Sequence, residues 1–240
     1  MRIVVTNCNT TQEMTEEIVR GARAAADPGT TVTGLTPAWG PESAEGWLDS
    51  YLSAAAVLDA LQTYEGPPYD AVVLAGFGEH GREGVRELVD APVVDITEAA
   101  AHLACLLGRR YGVVTTLERS CGQIEDSLES AGVARNCAAV VGTGLGVLHL
   151  GDDDERTAAA FLAAAERARE AGAEVLVLGC AGMTGLQRVV GEKLGLPVVD
   201  GVGAAVKLAE SLVSLGLTTS RAGSYGKPLP KRRTWGRGSG

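Results

Sequence analysis

The chain has 240 residues and a formal net charge of −9, with 45% of its residues hydrophobic and only 4% aromatic. That length allows one large or two small domains with a real core, and an acidic body argues against a nucleic-acid partner. No apolar run reaches the roughly 18–20 residues that span a bilayer; the opening MRIVVTNCN reads as a short strand without a cleavage-site pattern, so a cytoplasmic protein with no membrane partner is expected.

In chain order, β-branched strand candidates fall at 2–6, 31–36, 70–76, 92–95, 110–115, 138–142, 174–179 and 197–199. Between them, helical patterns cover 12–26, 42–63, 82–89, 97–107, 120–131, 153–171, 184–194 and 202–215. The 153–171 stretch is the clearest, with acids opening it, arginines closing it and Ala and Leu between. Strict alternation of strand and helix indicates parallel α/β sheets. From Ala222 onward the tail holds Lys227, Lys231, Arg232, Arg233 and Arg237 and no acid, which leaves −14 on the remainder. Such an end is expected to be disordered or to pack on its own surface. Five cysteines with no CxxC spacing and only three histidines fit reduced thiols and no metal site.

The sequence also repeats. AVVLAGFGEHGREGVRELVDAPVVDITEAA, from residue 71, aligns with VLVLGCAGMTGLQRVVGEKLGLPVVDGVGAA, from residue 175, so that Gly76 falls on Cys180 and PVVD at 92–95 on PVVD at 197–200. Upstream, RIVVTN at 2–7 resembles RYGVVTT at 110–116, with Asn7 opposite Thr116. Each half is then a small parallel α/β unit. Two such units facing each other gather their strand C-termini around one cleft, with Gly76 and Cys180 on opposite walls.

Cys180 lies in LGCAGMTG, where small neighbours expose a sulfur and the amides of Ala181, Gly182 and Met183 are candidate anion donors. A thiol there can act as acid, base or nucleophile if its pKa falls toward neutrality. Cys105 reads as core, Cys121 and Cys137 as surface-turn residues, and His149, in VLHL, as a strand-end residue.

The segments LGCAGM, PVVDGVGAAV, PVVDITEAA, YGVVTT, NCNTT…MTEEI, GPESAEG and LGLTTSRAGSYGKPLPK resemble the hydantoin/allantoin racemase branch of the Asp/Glu/hydantoin racemase superfamily. The resemblance spans residues 1–231. It implies two pseudo-symmetric α/β lobes with an active site between them, a small carbonyl or carboxylate substrate, no cofactor and a homo-oligomer. By the same resemblance, the helix at about 202–215 crosses back. The first lobe is then 1–98 plus 202–221, the second 99–201, and 222–240 a basic tail. It further implies that Cys180 moves a proton at a carbon next to a carbonyl. Asn9, Phe77, Gly78, Thr115, Thr116, Ala181 and Gly182 would contact the substrate's oxygens.

The family's usual CFGDPG is departed from here: Gly76, Glu79 and His80 stand in it, and Cys8 replaces a proline. Glycine has no side-chain proton, so three readings stay open: a racemase-type enzyme in which His80 or Cys8 serves the other face, a one-sided lyase resembling arylmalonate decarboxylase, or a small-molecule binding homologue without catalysis. His80 reads first as a solvated cap and Cys8 as packing against the first helix. Both are expected to lie out of line with the empty wall, and Gly76→Cys is expected to refill it with a thiol. Selectivity is expected from loops around Trp39, Trp47 and Phe77.

Overall fold

The computed structural model describes residues 1–150, 154–181 and 186–233. Among the described residues, eight strands and eight α-helices alternate along the chain. The first half runs β1 (Arg2–Thr6), α1 (Gln12–Ala25), β2 (Thr31–Leu35), α2 (Trp47–Gln62), β3 (Ala71–Leu74), α3 (Arg82–Leu88), β4 (Val93–Asp95) and α4 (Ile96–Leu107). The second runs β5 (Tyr111–Thr115), α5 (Cys121–Ser130), β6 (Cys137–Gly142), α6 (Asp154–Glu170), β7 (Val175–Leu178), α7 (Leu186–Leu194), β8 (Val198–Asp200) and α8 (Gly201–Ser214). The strands form two all-parallel sheets of identical order, β2-β1-β3-β4 and β6-β5-β7-β8. Their registers match too, with Val72 opposite Val93 and Leu74 opposite Asp95 in one, and Leu176 opposite Val198 and Leu178 opposite Asp200 in the other.

The central strands β1, β3, β5 and β7 are buried on both faces, as helix-covered parallel sheets require. In each half the final strand runs straight into a helix, because its last residue is already the cap. Asp95 accepts from the N–H groups of Thr97 (2.9 Å) and Glu98 (3.1 Å), and Asp200 from that of Gly203 (2.8 Å).

The two capped helices exchange places. α4 lies against β5, β7 and β8 of the second sheet, while α8 lies against β3 and β4 of the first, and the two pack on each other. Alanines at 99, 100, 101 and 104 on α4, and at 204, 205 and 209 on α8, keep the crossing thin and join both halves in one core with Val5, Val73, Val113 and Val177. Two outer cores lie on the sheets' other faces, one centred on Phe161 of α6 and the other on Val57, Leu61 and Val85 of α2 and α3.

Two sequence expectations change, at α2 and at His149. α2 begins at Trp47, not 42, since residues 42–46 serve as a bridging loop: Glu45 takes its own N–H to Asp49 (3.1 Å) and accepts the Val147 N–H of the other half (2.7 Å). His149 sits in a single 3-10 turn, Val147–His149, after β6 has already ended at Gly142. The tail as far as Lys227 wraps α3: Arg221 and Lys227 both pair with Asp90, and the Tyr225 hydroxyl donates to Glu83. The helix expected from 184 begins, among the described residues, at Leu186.

Candidate active site

Four strand ends meet at one cleft of about 520 Å³, open solvent at its mouth included. β1 contributes Asn7, Cys8 and Asn9, β3 contributes Ala75, Gly76 and Phe77, β5 contributes Thr115 and Thr116, and β7 contributes Gly179, Cys180 and Ala181. Met14, Ile18, Ala44 and Val147 supply apolar lining. The site therefore sits at the carboxyl ends of both sheets, with one half of the chain forming each wall.

The β1 end is stiffened by its own amides. Asn7 donates from Nδ2 to Asn9 Oδ1 (2.8 Å) and Thr15 Oγ1 (3.1 Å), and Asn9 Oδ1 also accepts the Thr11 N–H (3.0 Å). Those bonds use up the Asn9 oxygen. Among the described residues its Nδ2 meets only the Met14 sulfur, at 3.5 Å, and both residues line the cleft. Thr115 Oγ1 donates to the Gly179 carbonyl (3.2 Å), tying β5 to the Cys180 loop. The Thr116 hydroxyl makes no such bond among the described residues.

The wall at Gly76 is not empty. A Cβ built there would stand 2.3 Å from His80 Cδ2, 2.7 Å from Cys8 Cβ and 3.0 Å from Cys8 Sγ. The imidazole and the thiol thus crowd into the space the glycine leaves.

Residues 3–209 match the family described as Asp/Glu/hydantoin racemase. The chain belongs to that family. It is 37% identical to a hydantoin racemase of Paenarthrobacter aurescens over 97% of this chain and 99% of that protein. It is 52% identical to the crystal structure of an allantoin racemase from Pseudomonas fluorescens, which superposes with a TM-score of 0.95 over 98% of this chain and all of the other. Arylmalonate decarboxylase, at 20% identity and a TM-score of 0.58, shares the fold.

In this member of the racemase family, His80 is buried, only 5% exposed, where the sequence suggested a solvated cap. Its Nδ1 lies 3.2 Å from Ser50 Oγ and its Nε2 3.4 Å from the Phe77 carbonyl, so both nitrogens face protein and the carbon edge faces Gly76. Ser50 donates to the Glu79 carbonyl (2.6 Å) and accepts from Gln123 of α5 (2.5 Å), which anchors the ring from both halves. Burial lowers the His80 pKa to about 4, leaving the ring neutral at physiological pH. Glu79 takes over the capping, accepting the N–H groups of Gly81 (2.9 Å) and Arg82 (2.7 Å) ahead of α3.

Beneath this wall lies a buried ion pair. Arg82 Nη1 is 3.9 Å from Asp95 Oδ1, and Arg82 also bonds Glu83 and Ser130. Burial pushes the Asp95 carboxyl up to about 7 against the pull of Arg82. Burial also pushes the Cys8 thiol up to about 12, helped by negative charge on Cys180 and Asp95.

Cys180, Gly76, His80, Asn9, Phe77, Thr115, Thr116 and Ala181 all line the cleft. Gly182 lies outside the described residues. Gly78 is not among the lining residues, and its N–H is already donated to Thr97 Oγ1 (2.8 Å), so that amide cannot also hold a substrate oxygen. Trp39 and Trp47 are absent from the lining as well: Trp39 donates to Asp59 (2.7 Å) along α2, and Trp47 is exposed beside Tyr51. Ser50, Gln123 and Val147 carry no motif and lie far along the chain from the residues they serve, so nothing in the linear pattern marks them.

Proposed function

We propose that this protein racemises a small cyclic amide of the hydantoin or allantoin type. It would do so by removing and returning the proton on the ring carbon next to a carbonyl. The observation that carries this reading is Cys180, held at a strand end in a cleft between two symmetric lobes, in a chain of the racemase family matched along its whole length by racemases of such rings. Cys180 as thiolate takes the proton, and the electron pair passes into the neighbouring carbonyl as an enolate. Asn9 and Thr116 line the cleft, and the Asn9 Nδ2, whose contact among the described residues is the Met14 sulfur, and the Thr116 hydroxyl would donate to the ring's oxygens as negative charge develops there. Return of a proton to the opposite face completes inversion. None of these steps calls on a cofactor.

The test is proton NMR in deuterium oxide on a panel of 5-substituted hydantoins, allantoin, amino acids and substituted malonates, with chiral chromatography of the products. Exchange at the ring carbon with inversion supports the reading. Carbon dioxide loss from a malonate with no exchange on any hydantoin would replace it with a one-sided lyase, and binding without turnover would leave a binding homologue.

A further inference from the structure

Inversion needs a group on the substrate face that Cys180 does not reach, and Gly76 offers none. Among the described residues lining the cleft, two titratable side chains other than Cys180 could take that role: His80 and Cys8. His80 is committed elsewhere. Its nitrogens point at Ser50 and the Phe77 carbonyl, and the edge it turns toward Gly76 is carbon, which neither takes nor gives a proton in such a step. Cys8 differs. It follows β1, on the wall opposite Cys180, and its sulfur lies 3.0 Å from where a Cβ on Gly76 would stand.

We propose that Cys8 is the second proton-transfer residue of this site, acting on the face of the substrate opposite Cys180, with His80 as the buried wedge that holds its side chain in line. The proposal deepens the function proposed above and rests on it.

The chemistry balances with two thiols sharing one negative charge. In one direction the Cys180 thiolate takes the proton from the ring carbon and becomes a thiol. The enolate then collapses, its carbon takes the proton from the Cys8 thiol, and Cys8 is left as the thiolate. In the other direction the roles reverse. No electron is gained or lost, and each turnover exchanges which sulfur carries the charge. Cys8 is only 8% exposed, and burial, reinforced by charge on Cys180, raises its pKa, so Cys8 is a thiol when Cys180 is a thiolate and the Cys8 thiolate that starts the other direction is the less favoured form.

The experiment follows deuterium into each separated enantiomer of a hydantoin and of allantoin, after subtraction of a buffer blank, for the wild type, Cys8→Ser, Cys8→Ala and Cys180→Ser. Circular dichroism checks the fold of each variant. The wild type is expected to exchange and invert both enantiomers. Both Cys8 variants should lose inversion by on the order of 10²-fold or more, yet still wash deuterium into one enantiomer with its configuration kept. Cys180→Ser should keep exchange for the other enantiomer alone. That complementary pattern is one a merely structural cysteine would not produce. A folded Cys8 variant that racemises within a few-fold of wild type overturns the proposal. If neither Cys8 variant folds, the wild type still decides, because exchange confined to one enantiomer, with no inversion, overturns the proposal together with the racemase reading, whereas a folded Cys8 variant that still racemises overturns the proposal alone. A wild type that neither exchanges nor inverts any ring overturns that reading, and this proposal with it.

Discussion

Gly76→Ala adds a single methyl group at the most crowded point of the cleft. The new carbon would stand 2.3 Å from His80 Cδ2 and 2.7 Å from Cys8 Cβ, where carbon atoms prefer about 3.5–4.0 Å. Cys8 cannot yield easily, since its backbone lies between Asn7 and Asn9, whose side chains are bonded to each other and to α1. His80 is pinned by Ser50 on one side and the Phe77 carbonyl on the other, so relief requires breaking one of those contacts. Overpacking of this kind costs about 1–3 kcal/mol, and with both neighbours tethered we expect the upper end, about 3 kcal/mol. For a chain of this size that lowers Tm by roughly 6–12 °C. Urea titration of the wild type, Gly76→Ala, His80→Ala and the double variant measures it. His80→Ala opens the space, so the double variant should be more stable than the two single effects predict, by about 1 kcal/mol or more. Gly76→Ala within about 0.5 kcal/mol of wild type, or strict additivity of the two changes, would refute the picture of a filled wall. The same crowding makes Gly76→Cys a loss of stability, not the gain of function that a vacant wall would allow.

Cys180→Ala should leave the circular dichroism spectrum unchanged and lower turnover by roughly 10²–10⁴-fold; a loss of only a few-fold on the preferred substrate would remove Cys180 from the reaction. Asn9→Asp keeps the shape and the Oδ1 acceptor but deletes the amide donor, and should lower kcat more than it raises KM, as read from steady-state kinetics on one enantiomer. His80 has a pH signature. Below its ordinary value of 6.5 the unfolded chain takes up a proton that the buried ring refuses until about pH 4, so this group makes stability fall as pH drops through that window. Asp95 acts with the opposite sign, since between 3.8 and about 7 the folded protein keeps a proton the unfolded chain gives up, and stability falls as pH rises. The stability of wild type minus that of His80→Asn isolates the histidine; the difference should rise by up to about 3 kcal/mol from pH 4 to 6.5, and a flat difference contradicts its burial. Trp39→Phe and Trp47→Ala should leave the preference among ring substituents unchanged, whereas Phe77→Ala should shift it, as competing-substrate assays can show.

The fold was legible because its signals are local. Each strand is a short β-branched run ending in glycine or a small polar residue, and PVVD at 92–95 and at 197–200 closes the same unit twice, its aspartate capping a helix both times. Much of the cleft lining was legible too: the repeat set Gly76 and Cys180 on facing strand ends, the family resemblance pointed to Asn9, Phe77, Thr115 and Thr116, and all six line the cleft. What the chain does not display is convergence. Gly76, His80 and Cys8 look like three separate oddities, yet they occupy one point because a tight turn folds His80 back and β1 lies beside β3. Ser50 and Gln123, which hold the ring, come from α2 and α5 and carry no periodic mark of their task. Trp39 and Trp47 drew attention as rare aromatics near the cleft loops, but the Trp39 indole, in the loop before α2, is held by Asp59 of that helix and so is not free to turn toward a ligand.

Because α4 covers the second sheet and α8 the first, neither half of the chain carries its own lid. Fragments 1–108 and 109–240 should each be poorly soluble alone and recover a folded complex when co-expressed. A pair of identical half-length chains trading their last helix in this manner would build the same cleft about a two-fold axis. In such a pair every substitution falls on both sides at once, so a thiol at one strand end demands a thiol at its mate. Joining the halves through residues 108–110 removes that bond between the walls. It lets position 180 hold a sulfur while position 76 holds none, and leaves one wall free to move its chemistry to the neighbouring strand.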